Sequence, residues 1–423
     1  MTSSPSAPKS SPFQWWEYPV YWVIFLFFTL PLVAFGLALR MFCGRPWKSI
    51  PPNPVEVKNV LIVQVENLGD FLISAGFSRA VREAYPNARL TIAVDAKFQS
   101  LIRQFPYFDE TLGFDQSGGR VYRLFAGPVR AYRLARKQLW KTKFDIVLNQ
   151  RWDTDSKHGG VLGMFALGDY HLGFSSRPNV RKRLINIGLD WMYAKAIDPQ
   201  EMTHDGLRGA QLLESIGLFG GGLLCEIFTT REDDVYAEQS LASVSGKPLL
   251  VLGIGASLRR RQWPIERYGE LSTWLLRFIP EAGFLVVGHA GDGMDAERLR
   301  PILGDRLLNF AGKCSLSQSA ALLRHATAYF GTESGPMHMC AAVGVPLVTF
   351  YVLPANGPID HPNSSSRYHP VGSPRVEILN IPHYEPPCSY GCKSDDHHCV
   401  KTITVAMAKD ALARVLDLPV AVD

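Results

Sequence analysis

The chain has 423 residues, of which 47% are hydrophobic and 20% are charged, and its formal net charge is +5. This composition is that of a globular protein and excludes a low-complexity chain, although the Ser/Pro-rich first dozen residues are predicted to be disordered. The length exceeds what one ordinary hydrophobic core requires, so we expect two domains. No nucleic-acid recognition module accompanies the modest positive charge, which argues against a nucleic-acid partner.

An uncharged segment, Pro19–Leu39, is just long enough to cross a bilayer. Basic residues follow it, as expected of a cytoplasmic flank: Arg40, Arg45 and Lys48. A cleaved signal peptide is the alternative, but the apolar run is too long for one and no small-residue cleavage site follows. We therefore predict a disordered tail (residues 1–18), then one transmembrane helix with its flank (residues 19–50). The remainder of the chain would lie in the cytoplasm.

Two arrays of alternating strands and helices follow a Pro-rich linker. The first array has predicted strands at Asn59–Val65, Arg89–Val94 and Phe144–Leu148, and predicted helices at Asp70–Ala84 and Met202–Leu218. The second has predicted strands at Pro248–Ile254, Gly283–Val287, Ala326–Phe330 and Pro346–Val352, and predicted helices at Pro264–Phe278, Ser315–His325, Ser334 to about Val343, and Thr404–Leu416. Such alternation predicts α/β domains with doubly wound parallel sheets. We divide them at a Gly-rich and then acidic stretch, into residues 51–235 and 236–423, and expect them to face a cleft.

The first predicted strand leads into Gly69-Asp70, within the segment NVLIVQVENLGDF. Asp70 could serve only as the N-cap of the helix that follows. Alternatively, it could be a carboxylate that takes a proton from an attacking hydroxyl group. One aspartate in one turn does not decide between these two interpretations.

Two turns in the second array, Gly253–Pro264 and Glu333–His338, come at the ends of predicted strands. Anionic ligands bind at such positions in open α/β sheets. In the first turn, Gly255 and Ala256 would let the backbone approach phosphate groups, and three arginines would neutralise a leaving diphosphate without a metal. In the second, Ser334 occupies an N-cap position. Either turn alone could be an ordinary connection, but together they favour a diphosphate clamp.

These motifs resemble, in the same order, those of glycosyltransferase family 9, the heptosyltransferases. The resembling segments are the Gly-Asp turn, GASLRRRQWPIERYGEL, NFAGKCSLSQSAALLRHA and FGTESGPMHMCAAVGVP, within about Asn59 to Leu416. The resemblance implies a GT-B architecture of two Rossmann-like domains, with the acceptor bound mainly by the first and the nucleotide sugar by the second. It also implies inverting, metal-independent transfer without a cofactor. The implied donor is ADP-heptose, and the implied acceptor is a lipid-linked saccharide of the lipopolysaccharide core, at the inner membrane.

By matching position, the resemblance implies that Asp70 is the general base, that Arg261 meets the donor phosphates and that Glu333 holds the donor sugar. The other implied donor-binding residues are Gly255, Ala256, Asp292, Ser334, Gly335 and His338. A simple packing role is the alternative for His338. The family carries Lys and Asp where this chain has Arg261 and Glu333, so the donor sugar could differ from heptose. Two other functions fit the same fold: a sugar-nucleotide epimerase, and a silent, membrane-tethered nucleotide-sugar-binding protein.

A basic segment, Arg120–Lys143, contains eight cationic residues and no acidic one, with apolar residues at near-helical spacing. It could be a solvated helix face, but a basic amphipathic helix also suits an anionic membrane surface. We therefore expect this face to support membrane binding.

Three cysteines near the C-terminus, Cys388, Cys392 and Cys399, lie close to His397 and His398. Zinc has to be considered for such a group, but the C-x3-C-x6-C spacing fits no common zinc pattern. We therefore expect a structural role for these cysteines and no metal.

Overall fold

The computed structural model describes residues 25–177, 182, 183, 186, 188–200, 204–359 and 361–419. Its described residues form two compact units, one within Met1–Met202 and Gly206–Leu223, the other within Thr203–Asp205 and Leu224–Asp423. The predicted division at residue 235 falls inside a helix, Arg231–Ser240, of the second unit. Thr230 and Asp233 form a capping box that begins this helix, so the acidic stretch is a capped first turn and not a linker.

The first unit contains a six-stranded parallel sheet in the order β3-β2-β1-β4-β5-β6. Its strands are β1 (Asn59–Gln64), β2 (Arg89–Asp95), β3 (Glu110–Phe114), β4 (Ile146–Asn149), β5 (Tyr170–Phe174) and β6 (Lys195–Ile197). Its helices are α1 (Leu30–Phe42), α2 (Leu68–Ile73), α3 (Ala75–Ala84), α4 (Gln99–Ile102), α5 (Arg120–Lys137), α6 (Gly159–Phe165) and α7 (Arg208–Glu214). The centre of β1 is a fully buried aliphatic run, as expected of a parallel strand covered on both faces.

The second unit repeats this architecture with a six-stranded parallel sheet in the order β12-β11-β10-β7-β8-β9. Its strands are β7 (Leu249–Gly253), β8 (Gly283–Val286), β9 (Leu307–Asn309), β10 (Ala328–Thr332), β11 (Leu347–Tyr351) and β12 (Val376–Asn380). Its helices are α8 (Arg231–Ser240), α9 (Ile265–Phe278), α10 (Ala290–Glu297), α11 (Arg300–Leu303), α12 (Leu316–Leu323), α13 (Gly335–Ala342) and α14 (Val405–Leu416).

Both sheets therefore share one topology, in which the first and fourth strands of each array are central neighbours. The order of connections reverses at this pair, so the loops after the two strands diverge and leave a crevice at their carboxyl ends. The predicted pair of doubly wound parallel-sheet domains is confirmed.

The predicted helix Asp70–Ala84 is divided into α2 and α3 at Ser74. The Ser74 hydroxyl donates to the backbone carbonyl of Asp70 or Phe71, each 2.9 Å away, and accepts a hydrogen bond from Gln64 Nε2 at 2.5 Å. A serine that bonds to the preceding turn competes with the helical hydrogen-bond ladder, which explains the break. The predicted closing helix is shorter than expected: it is confined to α7, and residues 201–203 lie outside the described residues.

A π-helical turn, Phe25–Thr29, continues into α1 at the start of the described chain. One face of α1 packs on the first unit: Val33 is buried, and a side chain at Gly36 would collide with Met164. Nowhere in the part of the chain that the structure describes is a helix both long and apolar enough to cross a membrane. The predicted transmembrane helix is thus not supported, and its first residues, 19–24, lie outside the described residues.

Candidate active site

The predicted donor-binding residues lie at the carboxyl ends of three strands of the second sheet. Gly255 and Ala256 follow β7, Asp292 lies on α10 just after β8, and Glu333 follows β10. Because β10 and β8 are the two neighbours of β7, the strand order places all three connections side by side. This is the switch point of the sheet, where open α/β sheets bind ligands.

Strands β7 and β10 approach each other closely, and this brings together the turn that follows β7 and the turn that follows β10. Gly331 has φ +156°, and a Cβ atom there would lie 2.3 Å from the carbonyl oxygen of Gly253. Only glycine fits such a contact, because any side chain would overlap the neighbouring backbone. The Tyr329 hydroxyl donates to the carbonyl of Thr332 at 2.7 Å, which holds the end of β10 just before Glu333.

Arg261, Glu333 and His338 form a connected group at this edge. The Arg261 guanidinium donates through Nη2 to the backbone oxygen of Glu333 (3.1 Å) and to its carboxylate. The His338 Nε2 atom lies 3.6 Å from the other carboxylate oxygen, Oε1. The three side chains are 18%, 13% and 2% exposed, respectively. A carboxylate this far buried needs a cationic partner, and the planar guanidinium supplies it together with fixed directions for its remaining N–H donors.

The N-terminus of α13 adds a positive end of a helix dipole to the same place. Ser334 is the N-cap residue, as predicted, with extended backbone at φ −162°, and Pro336 lies in the first turn. The Ser334 hydroxyl makes no capping hydrogen bond to the helix, so the side chain is not committed to that role. Partial positive charge at a helix N-terminus favours a bound anion.

Asp292 lies against the backbone of the β7 turn. Its Oδ2 atom accepts a hydrogen bond from the backbone N–H of His289 at 2.8 Å, and a Cβ atom at Gly255 would lie 2.4 Å from the same oxygen. Burial raises the pKa of Asp292, and the hydrogen bond from His289 only partly opposes it. A half-buried carboxyl group beside a glycine turn can accept hydrogen bonds from vicinal hydroxyls, which is the chemistry of a ribose contact.

Asp70 lies in the first unit, at the carboxyl end of β1. The N-cap residue of α2 is Asn67, not Asp70: Asp70 is at N3, with Oδ2 3.4 Å from both the backbone nitrogen and Nδ2 of Asn67. Because both contacts are long, they only partly satisfy the hydrogen-bonding capacity of the Asp70 carboxylate. The interpretation of Asp70 as the N-cap is therefore wrong, while its capping-box contacts are compatible with a second, chemical role.

Sequence reasoning missed a group of charged residues around Asp70. Lys157 Nζ lies 3.1 Å from Asn67 Oδ1 and 3.5 Å from Asp95 Oδ2, and Arg151 Nη1 lies 3.4 Å from Glu66 Oε1. Burial lowers the pKa of Lys157, although the carboxylates of Asp95, Asp70 and Glu66 oppose the shift. These side chains follow β1, β2 and β4, three neighbouring strands, so their position after predicted strands was the signal that could have identified them.

Part of the chain matches a known protein family. The profile of "Glycosyltransferase family 9 (heptosyltransferase)" matches residues 191–370, a range that includes all of the donor-side residues above but not Asp70. The lipooligosaccharide heptosyltransferase 2 of Haemophilus influenzae is 23% identical over 344 residues, covering 76% of this chain and 88% of that protein.

Solved structures share the fold. A family 9 glycosyltransferase from Veillonella parvula superposes with a TM-score of 0.67 at 20% identity, over 86% of this chain and 98% of that one. An Escherichia coli heptosyltransferase solved with ADP-2-deoxy-2-fluoro heptose gives a TM-score of 0.57 at 18% identity, over 84% and 99% of the two chains. The two parallel-sheet units thus match those of GT-B heptosyltransferases. Residues 191–370 thus match the glycosyltransferase family 9 profile, lipopolysaccharide heptosyltransferases are among the homologues of the chain, and the chain is a glycosyltransferase.

Proposed function

We propose that this enzyme transfers a heptose from ADP-heptose to a lipid-linked saccharide acceptor of the lipopolysaccharide-core type, with inversion at the anomeric carbon. The observation that carries the proposal is the group formed by Arg261, Glu333 and His338 beside the α13 N-terminus. It combines a nearly buried guanidinium, a carboxylate and a helix dipole at the sheet's switch point. The chemistry of a sugar diphosphate, anionic at one end and rich in hydroxyls at the other, fits this set.

On the donor side, each group would act on a different part of the nucleotide sugar. Arg261 and the N-terminus of α13 would stabilise the negative charge that develops on the leaving diphosphate as the bond to the sugar breaks. The Glu333 carboxylate would accept hydrogen bonds from sugar hydroxyls, with Ser334 beside it. Asp292 would accept from the ribose, and the backbone at Gly255 would pass close to the phosphates.

On the acceptor side, Asp70 would act as the general base. Its carboxylate would take the proton of the acceptor hydroxyl as that oxygen attacks the anomeric carbon, and a single displacement of this kind inverts the configuration. The reaction needs no metal at the diphosphate if guanidinium charge takes that role. Lys157 would place a positive charge near the Asp70 carboxylate.

The test is transfer by the full chain, with ADP-heptose and a heptose-deficient lipid-linked core saccharide as substrates. Mass spectrometry of the product and release of ADP are measured together. We expect an acceptor-dependent mass gain of one heptose, which the Asp70→Asn variant abolishes, whereas Asp115→Asn, an exposed aspartate in the same unit, leaves it unchanged. Donor consumption without acceptor would indicate an epimerase. ADP binding without either reaction would indicate the silent binding protein.

The enzyme would work at the cytoplasmic face of the inner membrane, where such an acceptor is built. Exposed apolar side chains on the π-helical turn and on α1 support this, because Phe27 and Phe42 are 69% and 91% exposed, respectively. The Tyr132 ring of α5 packs on Phe35 of α1 at 5.8 Å, so the cations of α5 adjoin this apolar face. Among the residues of the segment whose side chains the structure describes, the exposed cations are Arg133, Arg136, Lys137, Lys141 and Lys143.

Vesicle flotation tests the membrane proposal. We expect the full chain to float with vesicles that contain anionic lipid, and the Arg133→Glu/Arg136→Glu variant to float less. Resistance to alkaline carbonate extraction would support the predicted single-pass anchor, whereas complete extraction would indicate surface binding alone. Equal binding to neutral and anionic vesicles would refute the role of the basic face.

A further inference from the structure

Three cysteines and one histidine of the second unit come together in the segment between β12 and α14. The potential ligand atoms of Cys388, Cys392, His398 and Cys399 all lie within 4.8 Å of one another. The Nδ1 atom of His398 is 3.7 Å from the sulfur of Cys388, 3.7 Å from that of Cys392 and 3.3 Å from that of Cys399. The spacing of the cysteines alone does not reveal this group, because His398 supplies the fourth member.

The three distances from His398 Nδ1 to the sulfur atoms are close to those of a tetrahedral metal site. With Zn–S bonds of about 2.3 Å and Zn–N bonds of about 2.0–2.1 Å, the ligand atoms of a tetrahedron lie about 3.5–3.8 Å apart. Three thiolates and one imidazole form a closed site, with no position left for water or substrate, which is the arrangement of structural zinc.

The surroundings also suit bound thiolates. All seven cysteines of the chain are free, and Cys388, Cys392 and Cys399 are each at most 9% exposed, within the hydrophobic core of the unit. The backbone N–H of Lys393 points to the sulfur of Cys388 at 3.4 Å. Outer-shell hydrogen bonds of this kind stabilise metal-bound sulfur and hold it in position.

We propose that Cys388, Cys392, His398 and Cys399 bind one Zn²⁺ ion with a structural role. The ion lies outside the candidate active site and takes no part in the transfer reaction. It joins residues that are separated in sequence and closes the loop between β12 and α14, so its binding free energy contributes to the folding of this part of the unit.

The zinc loop supports the arginine turn that follows β7. His397, next to a ligand, pairs through Nδ1 with the backbone oxygen of Gln262 at 2.7 Å, and Asp396 accepts from Arg259 Nε at 3.0 Å. The indole N–H of Trp263 donates to Ile403 at 2.8 Å, just beyond the ligands. We therefore expect loss of the ion to weaken nucleotide binding as well, a consequence that rests on the proposed function.

The test begins with the full chain, purified without chelator and without a polyhistidine tag. Plasma mass spectrometry should find about one zinc per chain. Substitution by Co²⁺ should give the intense visible absorption of tetrahedral thiolate coordination. The variants Cys392→Ser and His398→Gln should lower the zinc content by about tenfold or more and reduce Tm. The controls Cys314→Ser and His397→Gln, which lie outside the ligand set, should keep the metal.

Each outcome decides the proposal. A metal-free wild-type chain, or a disulfide among the three cysteines, would overturn the site, and this result does not depend on whether any variant folds. Stoichiometric iron would overturn the assignment of zinc. Zinc retained by both ligand variants would place it elsewhere. Metal content is measured apart from nucleotide binding, so an inactive chain that still holds zinc would refute only the proposed function.

Discussion

The replacement of Glu333 by glutamine separates two roles that this carboxylate could have. In the structure the Glu333 carboxylate accepts a hydrogen bond from the Arg261 guanidinium and lies 3.6 Å from His338. Its first possible role is therefore solely to orient Arg261. Under the proposed function it also holds the donor sugar. Glutamine keeps the length and shape of the side chain and removes the negative charge, so the packing of this nearly buried site is preserved.

The Glu333→Gln substitution is expected to weaken the use of ADP-heptose without weakening the binding of ADP. A hydrogen bond to a charged group contributes about 1.5–3 kcal/mol, so losing the sugar contact should lower kcat/KM for ADP-heptose by about 10- to 150-fold. ADP lacks the heptose and therefore loses no such contact, and in the variant its diphosphate no longer meets a nearby carboxylate. We therefore expect ADP to bind the Glu333→Gln variant as tightly as wild type or a fewfold more tightly, because like-charge repulsion is removed.

The assay pairs calorimetric titration with ADP and initial rates with ADP-heptose. Arg261→Ala provides the contrast, since it should weaken ADP itself by about 10- to 150-fold. Glu297→Gln is the matched control, because Glu297 pairs with Arg300 at 2.9 Å on the exposed surface of the same unit. If Glu333→Gln weakened ADP and ADP-heptose by the same factor as Arg261→Ala does, Glu333 would act only through Arg261 and the sugar contact would be refuted.

Three further predictions follow from single residues. Asp70→Asn should lower kcat by about 10²–10⁴-fold while ADP titration stays unchanged; weakened ADP binding would contradict a purely acid–base role. Gly331→Ala should destabilise the chain by about 2–4 kcal/mol in urea, through its contact with Gly253, whereas Gly291→Ala, which meets nothing within 4 Å, should be neutral or slightly stabilising. Burial lowers the pKa of His171 from 6.5 to about 3, against the opposing hydrogen bond to Met192. Below pH 6.5 the His171 side chain takes up a proton in the unfolded chain but not in the folded chain. The free energy of unfolding should therefore fall by about 1.4 kcal/mol for each unit by which the pH is lowered from 6.5 to 3. Urea unfolding of His171→Gln should lack this component, and identical pH slopes would refute it.

Hydrophobic patterning was sufficient to predict most of the strands near the sites. The mostly apolar runs that became β1, β7 and β10 are buried on both faces, and such runs are visible in sequence because they depend only on local composition. The end of a strand is then known, and with it the positions of Asp70 and Glu333 at the carboxyl edge of their sheets. Strands β3, β5 and β6 of the first unit, and β9 and β12 of the second, were missed.

Side-chain partners could not be predicted in the same way. Glu333 and Arg261 are far apart in sequence, and their contact depends on β10 lying beside β7, which no local pattern specifies. The same holds for Lys157 near Asp95, contributed by loops after different strands. Local rules also gave the wrong N-cap for α2, because Asn67 and Asp70 are both acceptable capping residues and only the backbone geometry distinguishes them.

The sequence by itself determined the class of fold, the position of most strands near the sites, and the resemblance of their motifs to those of a glycosyltransferase family, because periodicity and turn residues act over short stretches of chain. Only the tertiary structure decided which charged groups share a buried site, that His398 joins three cysteines, and that one face of α1 packs on the first unit. The buried charged group and the packing of α1 depend on residues distant in sequence, whereas the cysteine–histidine group depends on the path of one loop; in each case the contacts form only when the sheets and their loops are assembled.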